Sequence, residues 1–226
     1  MAVQYLQPHR FTVDQYRRMT EIGVVPEGGT ELIDGVIVAG TRWHRFSSSD
    51  FFLLGREGIL DEDDRVELID GEIVDMSPIG PRHSKCVSRL NRLLSRLVGE
   101  ADLRIQDVLQ LTTERTVHPD AAVYRPSADG YEERQPKPAD ALLIVEVADT
   151  SLLYDRTVKM EDYATAGVQE YWVIDLQRNV VIVSQKLVAG QFMDVREYAS
   201  GDTWQSPALG GAEIDVADII GKRQPG

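Results

Sequence analysis

The spacing of hydrophobic positions divides the chain into strand-like and helix-like segments. The run from Ala141 to Val147 is apolar and rich in Leu, Ile and Val, with Glu146 as its one acid. Such a run is too short for a core helix and is typical of a strand buried on both faces. Further strands are predicted at 103–111, 121–124, 170–175 and 180–185, with hairpin character around 192–198.

Two segments show helical spacing instead. From about His83 to Val98, apolar side chains recur every three or four residues, which predicts a helix packed on the core. A second helix is predicted from about Tyr154 to Ala166, because Gly167 suits the residue that follows a helix. The order helix, three strands, helix, strand predicts an α/β (α+β) fold with a mixed sheet and covering helices.

Residues 11–38 and 46–74 resemble each other, and ELIDG recurs at 31–35 and 67–71. Each copy is predicted to form a short helix, a loop and a β-hairpin that turns at Asp-Gly. Two copies are too few for a solenoid. We interpret them as a tandem duplication, in which residues 1–44 form an N-terminal helix-hairpin extension and residues 45–226 form the main domain.

Composition limits the class of protein. The 226 residues are 42% hydrophobic and 27% charged, which is ordinary for a soluble globular protein. No apolar run approaches the roughly 18 residues of a membrane span, and MAVQYLQPHRF lacks the apolar core of a signal peptide. A single cysteine, Cys86, excludes an internal disulfide and a cysteine-based zinc site. We therefore expect a cytoplasmic protein with no membrane partner.

Three residues in this framework indicate hydrolytic chemistry. Glu146 interrupts a buried strand, where a carboxylate costs several kcal/mol unless it is paired, protonated or bound to a metal. Asp120 follows Pro119 and precedes another short apolar run, and Lys159 lies on the second predicted helix. Two carboxylates on strands and a lysine are the parts of a hydrolytic site that uses a divalent cation.

Each of these residues also has a structural interpretation. Asp120 is suited to capping a turn, and Lys159 follows Asp155 by four residues, a spacing that forms surface ion pairs on helices. Glu146 is harder to explain in this way because its neighbours are apolar. Other hydrolytic motifs are missing: the sequence contains no H-E-x-x-H, no G-x-S-x-G and no phosphate-binding P-loop.

The first long helix has a basic flank, with residues spaced by three and four: Arg82, Lys85, Arg89, Arg92 and Arg96. One interpretation is a solvated helix face, and the other is a ridge that contacts phosphates. The net charge of −13 argues against a large nucleic-acid-coating surface but allows a few local phosphate contacts.

The motifs ELIDGEIVDMSPIGPRHS, HPDAAVYRP, LLIVEVADTS and YDRTVKMEDYATAGVQEYWVID occur in this order. With them, residues 46–220 resemble the PD-(D/E)XK nuclease superfamily and, within it, the Uma-type family described as bacterial restriction endonucleases. The resemblance implies a restriction-endonuclease-like core, a mixed central β-sheet flanked by helices. It also implies Mg²⁺ or Mn²⁺ held by Asp120 and Glu146, DNA as the substrate, and a homodimer that cuts both strands.

The resemblance assigns further site residues. The superfamily's usual lysine would stand two residues after the acid, where this chain has Ala148. The resemblance implies that Lys159 reaches in from the following helix instead. Glu67 and His83 match other family positions near the site, although Glu31 repeats Glu67 in a copy without catalytic motifs. His83 is expected to hold a neighbouring phosphate together with Arg89 and Arg92. The residues expected to bind nucleic acid are Arg82, Lys85, Arg89 and Arg92.

Two other classes of function stay open. A nuclease-fold module without catalytic activity, which binds nucleic acid or a protein, is favoured by the acidic charge and by Ala148. A glycosidase with paired carboxylates is disfavoured, because 7% aromatic residues offer few platforms for sugars and the lysine has no role there.

Overall fold

The computed structural model describes residues 7–61 and 63–221, so the predicted frayed tail after Gly221 lies outside the described residues. The described chain forms two compact units. Unit 1 contains the chain up to Ser77 together with Gln110–Val117, and unit 2 contains Pro78–Leu109 together with the chain from His118 onward.

The strands, in chain order, are β1 (Gln7–Pro8), β2 (Thr30–Ile33), β3 (Val36–Ala39), β4 (Arg42–Trp43), β5 (Val66–Ile69), β6 (Glu72–Asp75), β7 (Asp102–Ile105), β8 (Leu109–Thr112), β9 (Arg115–Val117), β10 (Ala121–Tyr124), β11 (Ala141–Ala148), β12 (Glu170–Asp175), β13 (Val180–Val188), β14 (Gln191–Tyr198), β15 (Thr203–Ser206) and β16 (Ala212–Asp215). The helices are α1 (Val13–Glu21), α2 (Ser48–Arg56), α3 (Pro81–Leu97), α4 (Leu152–Tyr154), α5 (Met160–Ala166) and α6 (Val216–Ile220). A π-helical segment, Asp155–Lys159, joins α4 to α5.

Unit 1 contains both copies of the repeat. Thr12 and Ser47 cap α1 and α2 through reciprocal hydrogen bonds with the side chains of Gln15 and Asp50, which satisfies backbone donors at each helix start. Each helix leads to an antiparallel hairpin, β2–β3 or β5–β6. The predicted Asp-Gly turns are confirmed, because both residues of each turn have positive φ, as a two-residue hairpin loop requires.

The two copies bury their apolar residues in one hydrophobic core. Phe11, Met19 and Ile37 of the first copy lie in the same buried cluster as Phe46 and Leu54 of the second. The segment before each copy also pairs with the hairpin of the other copy. The compact units therefore do not follow the predicted boundary between residues 44 and 45, because the copies cover each other's apolar faces.

Unit 2 is built on a six-stranded sheet of order β14-β13-β12-β11-β10-β7. Strands β11 and β12 are parallel, and their neighbours on either side pair antiparallel. The predicted mixed sheet with covering helices is therefore confirmed. Strand β11, the predicted central apolar run, lies inside the sheet, and Leu143 and Val145 are fully buried.

Helix α3 covers one face of this sheet. Its residues Cys86, Leu90 and Leu94 pack in one cluster with Val145 and Val147 of β11. The helix begins at Pro81, slightly earlier than predicted, because proline suits the first helical turn, where no backbone donor is needed.

The sequence prediction of one strand over 103–111 is wrong. The structure has two strands, β7 and β8, which belong to different sheets. Gln106 lies between them with φ of +53°, a left-handed conformation that ends an extended strand. Apolar residues occur on both sides of this break, so the hydrophobic pattern alone could not locate it.

Among the described residues, no helix combines the length and the apolar character that crossing a membrane would require.

Candidate active site

The two predicted carboxylates belong to neighbouring backbone positions of unit 2. Ala121 pairs with Val145 and Ala122 with Ile144 in antiparallel register, so one further step places Asp120 opposite Glu146. His118 and Pro119 connect β9 to β10, and Asp120 directly precedes β10.

Glu146 is buried, and Lys159 and Tyr163 both donate to its carboxylate. Lys159 Nζ lies 3.1 Å from Glu146 Oε1, and the Tyr163 hydroxyl donates to the same oxygen over 2.7 Å. All three side chains are almost inaccessible to water. An ion pair and a hydrogen bond in this environment offset the desolvation of the carboxylate.

The π-helical segment turns Lys159 toward the sheet. Lys159 is 6% exposed and its ammonium lies 5.9 Å from the centre of the Tyr154 ring, so it does not belong to a solvated helix surface. Asp155, at the start of the segment, is also buried and accepts from the Ser151 hydroxyl. Single π-helical turns inside α-helices are frequent at functional sites.

Asp120 is held by three donors from three parts of unit 2. The backbone N–H of Val147 donates to Oδ2 over 2.9 Å, and Gln106 Nε2 donates to Oδ1 over 3.1 Å. His83 Nε2, from the first turn of α3, lies 3.1 Å from Oδ2. These contacts fix both carboxylate oxygens beside the backbone of β11.

The structure therefore places these residues in two groups on unit 2, Glu146 with Lys159 and Asp120 with His83. Glu67 lies on β5 of unit 1, where it is buried. Its predicted role in the site stays a prediction.

The basic flank of α3 separates into two kinds of residue. Arg82 donates to the backbone oxygen of Leu176, and Arg89 donates to that of Ile220 over 2.6 Å, so both guanidinium groups have intramolecular acceptors. Lys85 and Arg92 are exposed on the same helix. The predicted nucleic-acid contacts of Arg82, Lys85, Arg89 and Arg92 stay predictions. Lys85 and Arg92 are better placed to make them, because Arg82 and Arg89 already donate to backbone oxygens.

Sequence reasoning missed two residues of the site, Tyr163 and Gln106. Tyr163 follows Lys159 by four residues, a spacing that puts both on one helix face, and this signal could have identified it. Gln106 reaches Asp120 only because its backbone is left-handed and lies beside β10, where its N–H donates to the Asp120 backbone oxygen over 3.2 Å. No sequence pattern indicates that arrangement.

The donor chemistry of the site fits a divalent cation bound by oxygen. Mg²⁺ is commonly bound through one or two carboxylates, with water and substrate phosphate completing the coordination. Asp120 and Glu146 supply two carboxylates at adjacent backbone positions of the sheet. Among the described residues, no group of three or more His, Cys, Asp or Glu side chains forms a ready-made metal cluster. A site of this kind would thus depend on these two carboxylates.

The single thiol takes no part in this chemistry. Cys86 is buried on α3, and burial, reinforced by the charge of Asp120, raises the pKa of its thiol to about 12. A thiol that stays protonated near neutral pH is neither a nucleophile nor a metal ligand.

Comparison with known proteins gives two findings. Residues 49–217, more than half of the chain, match the family model Uma2, which is described as "Putative restriction endonuclease". The solved structure of a protein from Anabaena variabilis, titled as a putative nuclease belonging to DUF820, is similar in fold, with 15% sequence identity and a TM-score of 0.62. That similarity covers 77% of this chain and 97% of the other. Among curated proteins, none matches this chain.

Proposed function

The chain belongs to the Uma2 family, and from this premise we propose that it is a metal-dependent endonuclease that hydrolyses phosphodiester bonds of DNA. The observation that carries the proposal is the placement of Asp120 opposite Glu146, with Lys159 Nζ 3.1 Å from Glu146 Oε1. A buried cluster of two carboxylates and one ammonium costs stability, and such groups are concentrated at functional sites.

Asp120 and Glu146 are the residues that would hold Mg²⁺ or Mn²⁺. When bound, the ion would neutralise phosphate charge and lower the pKa of a water molecule. The donors around Asp120 fix the orientation of its carboxylate. Tyr163 does the same for one oxygen of Glu146.

Lys159 supplies the positive charge that the strand itself lacks, because Ala148 stands at the superfamily's usual lysine position. Its ammonium would orient the attacking water or offset the charge that develops on the phosphate. His83, hydrogen-bonded through Nε2 to Asp120, would contact the phosphate next to the scissile bond. A catalytic role for Glu67 is supported by its match to a family position alone.

For DNA contact we propose a small surface, centred on the exposed Lys85 and Arg92 of α3. The net charge of −13 opposes a wide DNA-coating surface, so binding would rest on a few phosphates and weaken with salt. A homodimer would present two such sites to the two strands of a duplex.

The test is cleavage of single-stranded, double-stranded and branched DNA with and without Mn²⁺ or Mg²⁺. We expect wild-type protein to cut only with metal, and Glu146→Ala to be inactive. The matched control is Glu213→Ala, which removes an exposed carboxylate from β16 of the same unit. Equal products from wild type and Glu146→Ala would show that a contaminant is the nuclease.

A second candidate function is a catalytically inactive nuclease-fold module that binds nucleic acid or a protein. The observation in its favour is Ala148 in place of the strand lysine. Calorimetry with Mg²⁺ and Mn²⁺ on wild type and Asp120→Ala separates the two candidates. Metal binding by wild type that is lost in Asp120→Ala supports the nuclease. A folded wild-type protein that binds no metal supports the inactive module.

A further inference from the structure

The two copies in unit 1 are related by an approximate internal two-fold arrangement. His9, which precedes the first copy, donates its N–H to the backbone oxygen of Ile73 in the second hairpin over 2.8 Å. His44, which precedes the second copy, donates its N–H to Ile37 in the first hairpin, also over 2.8 Å. The sequence His-Arg-Phe leads into both copies, from His9 to Phe11 and from His44 to Phe46. Equivalent positions in the two copies can therefore be compared directly.

The second copy binds an additional β-strand. Leu68 of β5 pairs antiparallel with Thr116 of β9, and the Gly71 N–H donates to the Glu114 backbone oxygen over 2.8 Å. Three further contacts secure this segment. The Ser48 N–H donates to the Thr113 oxygen over 2.7 Å, the Ser48 hydroxyl lies 2.9 Å from the Thr116 hydroxyl, and Arg115 forms an ion pair with Asp70 over 2.6 Å.

The first copy presents the same groups without such a strand. In the part of the chain that the structure describes, β2 is the outer strand of its sheet, and no strand pairs with its open edge. Leu32, Asp34 and Gly35 correspond to Leu68, Asp70 and Gly71 of the second copy. The Tyr16 hydroxyl donates to the Thr30 oxygen, and Arg10 and the Phe11 N–H donate to the oxygens of the turn. The open part of the edge is therefore the backbone of Leu32 and the Gly35 N–H.

Exposure differs between the copies at these positions. Ile33 is 50% exposed, whereas its counterpart Ile69 is 5% exposed. Val13, which replaces Ser48 at the first residue of the helix, is 66% exposed. Exposed apolar side chains beside an open strand edge mark a site at which another strand can add.

Charge indicates the chemistry of the added strand. Asp34 is exposed at the turn, where its counterpart Asp70 pairs with Arg115, and Glu31 is exposed on β2. Arg10 contacts the backbone oxygen of Asp34, as Arg45 lies beside Gly71 in the second copy, where Asp70 still pairs with Arg115. This acidic border disfavours nucleic acid and favours a basic peptide. Val13 in place of Ser48 favours an apolar side chain at the position that Thr116 occupies in the second copy.

We propose that the β2 edge docks an extended segment of a partner protein. The segment adds antiparallel to Leu32, places one apolar side chain on Val13 and a neighbouring one on Ile33 at the opposite face, and pairs a basic residue with Asp34. Backbone hydrogen bonds would give affinity and these side chains would give specificity, as in other cases of strand addition.

The probe is a peptide with the sequence of residues 108–118 carrying Thr116→Val, closed into a hairpin by a disulfide between added terminal cysteines. Closing the peptide reduces the ordering cost of binding. It is titrated into the ¹⁵N-labelled full-length protein, and amide shifts are followed by NMR. We expect saturable shifts at Leu32 and Gly35, and at least tenfold weaker binding of the same peptide with Arg115→Glu.

Protein variants locate the site. Val13→Lys and Ile33→Lys should each weaken binding at least tenfold, and Asp34→Arg should reverse the preference between the two peptides. Val188→Lys is the matched control, because Val188 is 57% exposed on β13 of unit 2. The proposal is overturned if the peptide does not bind at millimolar concentration, if shifts occur only outside the first copy, or if Val188→Lys weakens binding as much as the others.

Discussion

At the scale of single residues, the site is defined by how its charges are paired. Glu146 is buried in the middle of a sheet, yet it has an ammonium and a hydroxyl within hydrogen-bond distance. Removing one partner of a buried ion pair is expected to cost about 3–5 kcal/mol, because the other charge stays buried. Variants at this site must therefore be tested for folding before their activity is interpreted.

Lys159 provides the sharpest test of the catalytic proposal. Lys159→Ala is expected to lower turnover by about 100-fold or more, on the order of a lost transition-state contact. Metal should bind as well as before or better, because the carboxylates lose a nearby positive charge. Cleavage rates and calorimetry measure the two effects separately.

The control is Lys186→Ala. The Lys186 ammonium of the wild-type protein pairs with Asp194 on an exposed part of β13 and β14. That variant should leave turnover unchanged. Unchanged turnover in a folded Lys159→Ala protein would contradict the proposed role of the lysine.

Cys86 is expected to be inert in the folded protein. With its pKa raised to about 12, the fraction of thiolate at pH 8 is about one in 10⁴, and the side chain is 1% exposed. Iodoacetamide at pH 8 should label the native protein negligibly and label it fully in urea. Rapid labelling without denaturant would show that α3 opens locally or that the thiol is more acidic than its burial implies.

At the scale of elements, short turns decide the geometry of unit 1. Gly35 and Gly23 both have positive φ, +82° and +77°, so alanine is strained at either position. A Cβ atom at Gly35 would lie 2.9 Å from the Arg10 Cβ, whereas at Gly23 it would meet nothing within 4 Å. The two positions therefore share the conformational cost and differ in the steric one.

Gly23→Ala should cost about 1–2 kcal/mol, the penalty of a left-handed residue. Gly35→Ala should cost about 1–3 kcal/mol more, because Arg10 or the hairpin must shift. Urea unfolding of the two variants measures the difference. Equal free energies of unfolding would mean that the hairpin relaxes without cost.

At the scale of the whole molecule, the shared core of unit 1 changes the expected effect of truncation. The duplication predicts that residues 1–44 can be removed without loss of chemistry. In the structure, Phe46 and Leu54 are buried in the same cluster as Met19 and Ile37. Removing the first copy would expose this cluster to water.

We therefore expect a chain that starts at Arg45 to be less stable than the full chain and prone to associate through the uncovered face. Thermal unfolding and light scattering test this, with calorimetry for metal binding. A truncated chain that is monomeric and as stable as the full chain would show that the first copy is a separable extension. Loss of metal binding from a folded truncated chain would show that the first copy contributes to the site.

The sequence by itself determined the mixed α/β core, the Asp-Gly hairpins and the buried carboxylate, because these depend on local patterns. An apolar run bounded by turns forms a buried strand wherever it packs, and Asp-Gly favours positive φ in almost any context. The presence of an acidic residue, Glu146, within such a run can be read from the sequence alone.

Only the tertiary structure decided which groups contact the side chains of Asp120, Glu146 and Lys159. Register placed Asp120 opposite Glu146, and a π-helical segment turned Lys159 inward with Tyr163 beside it. The left-handed backbone of Gln106, and the core shared by the two copies, have no local signature. Contacts between residues distant in the sequence depend on how elements pack, and hydrophobic periodicity shows which face is buried but not what lies against it.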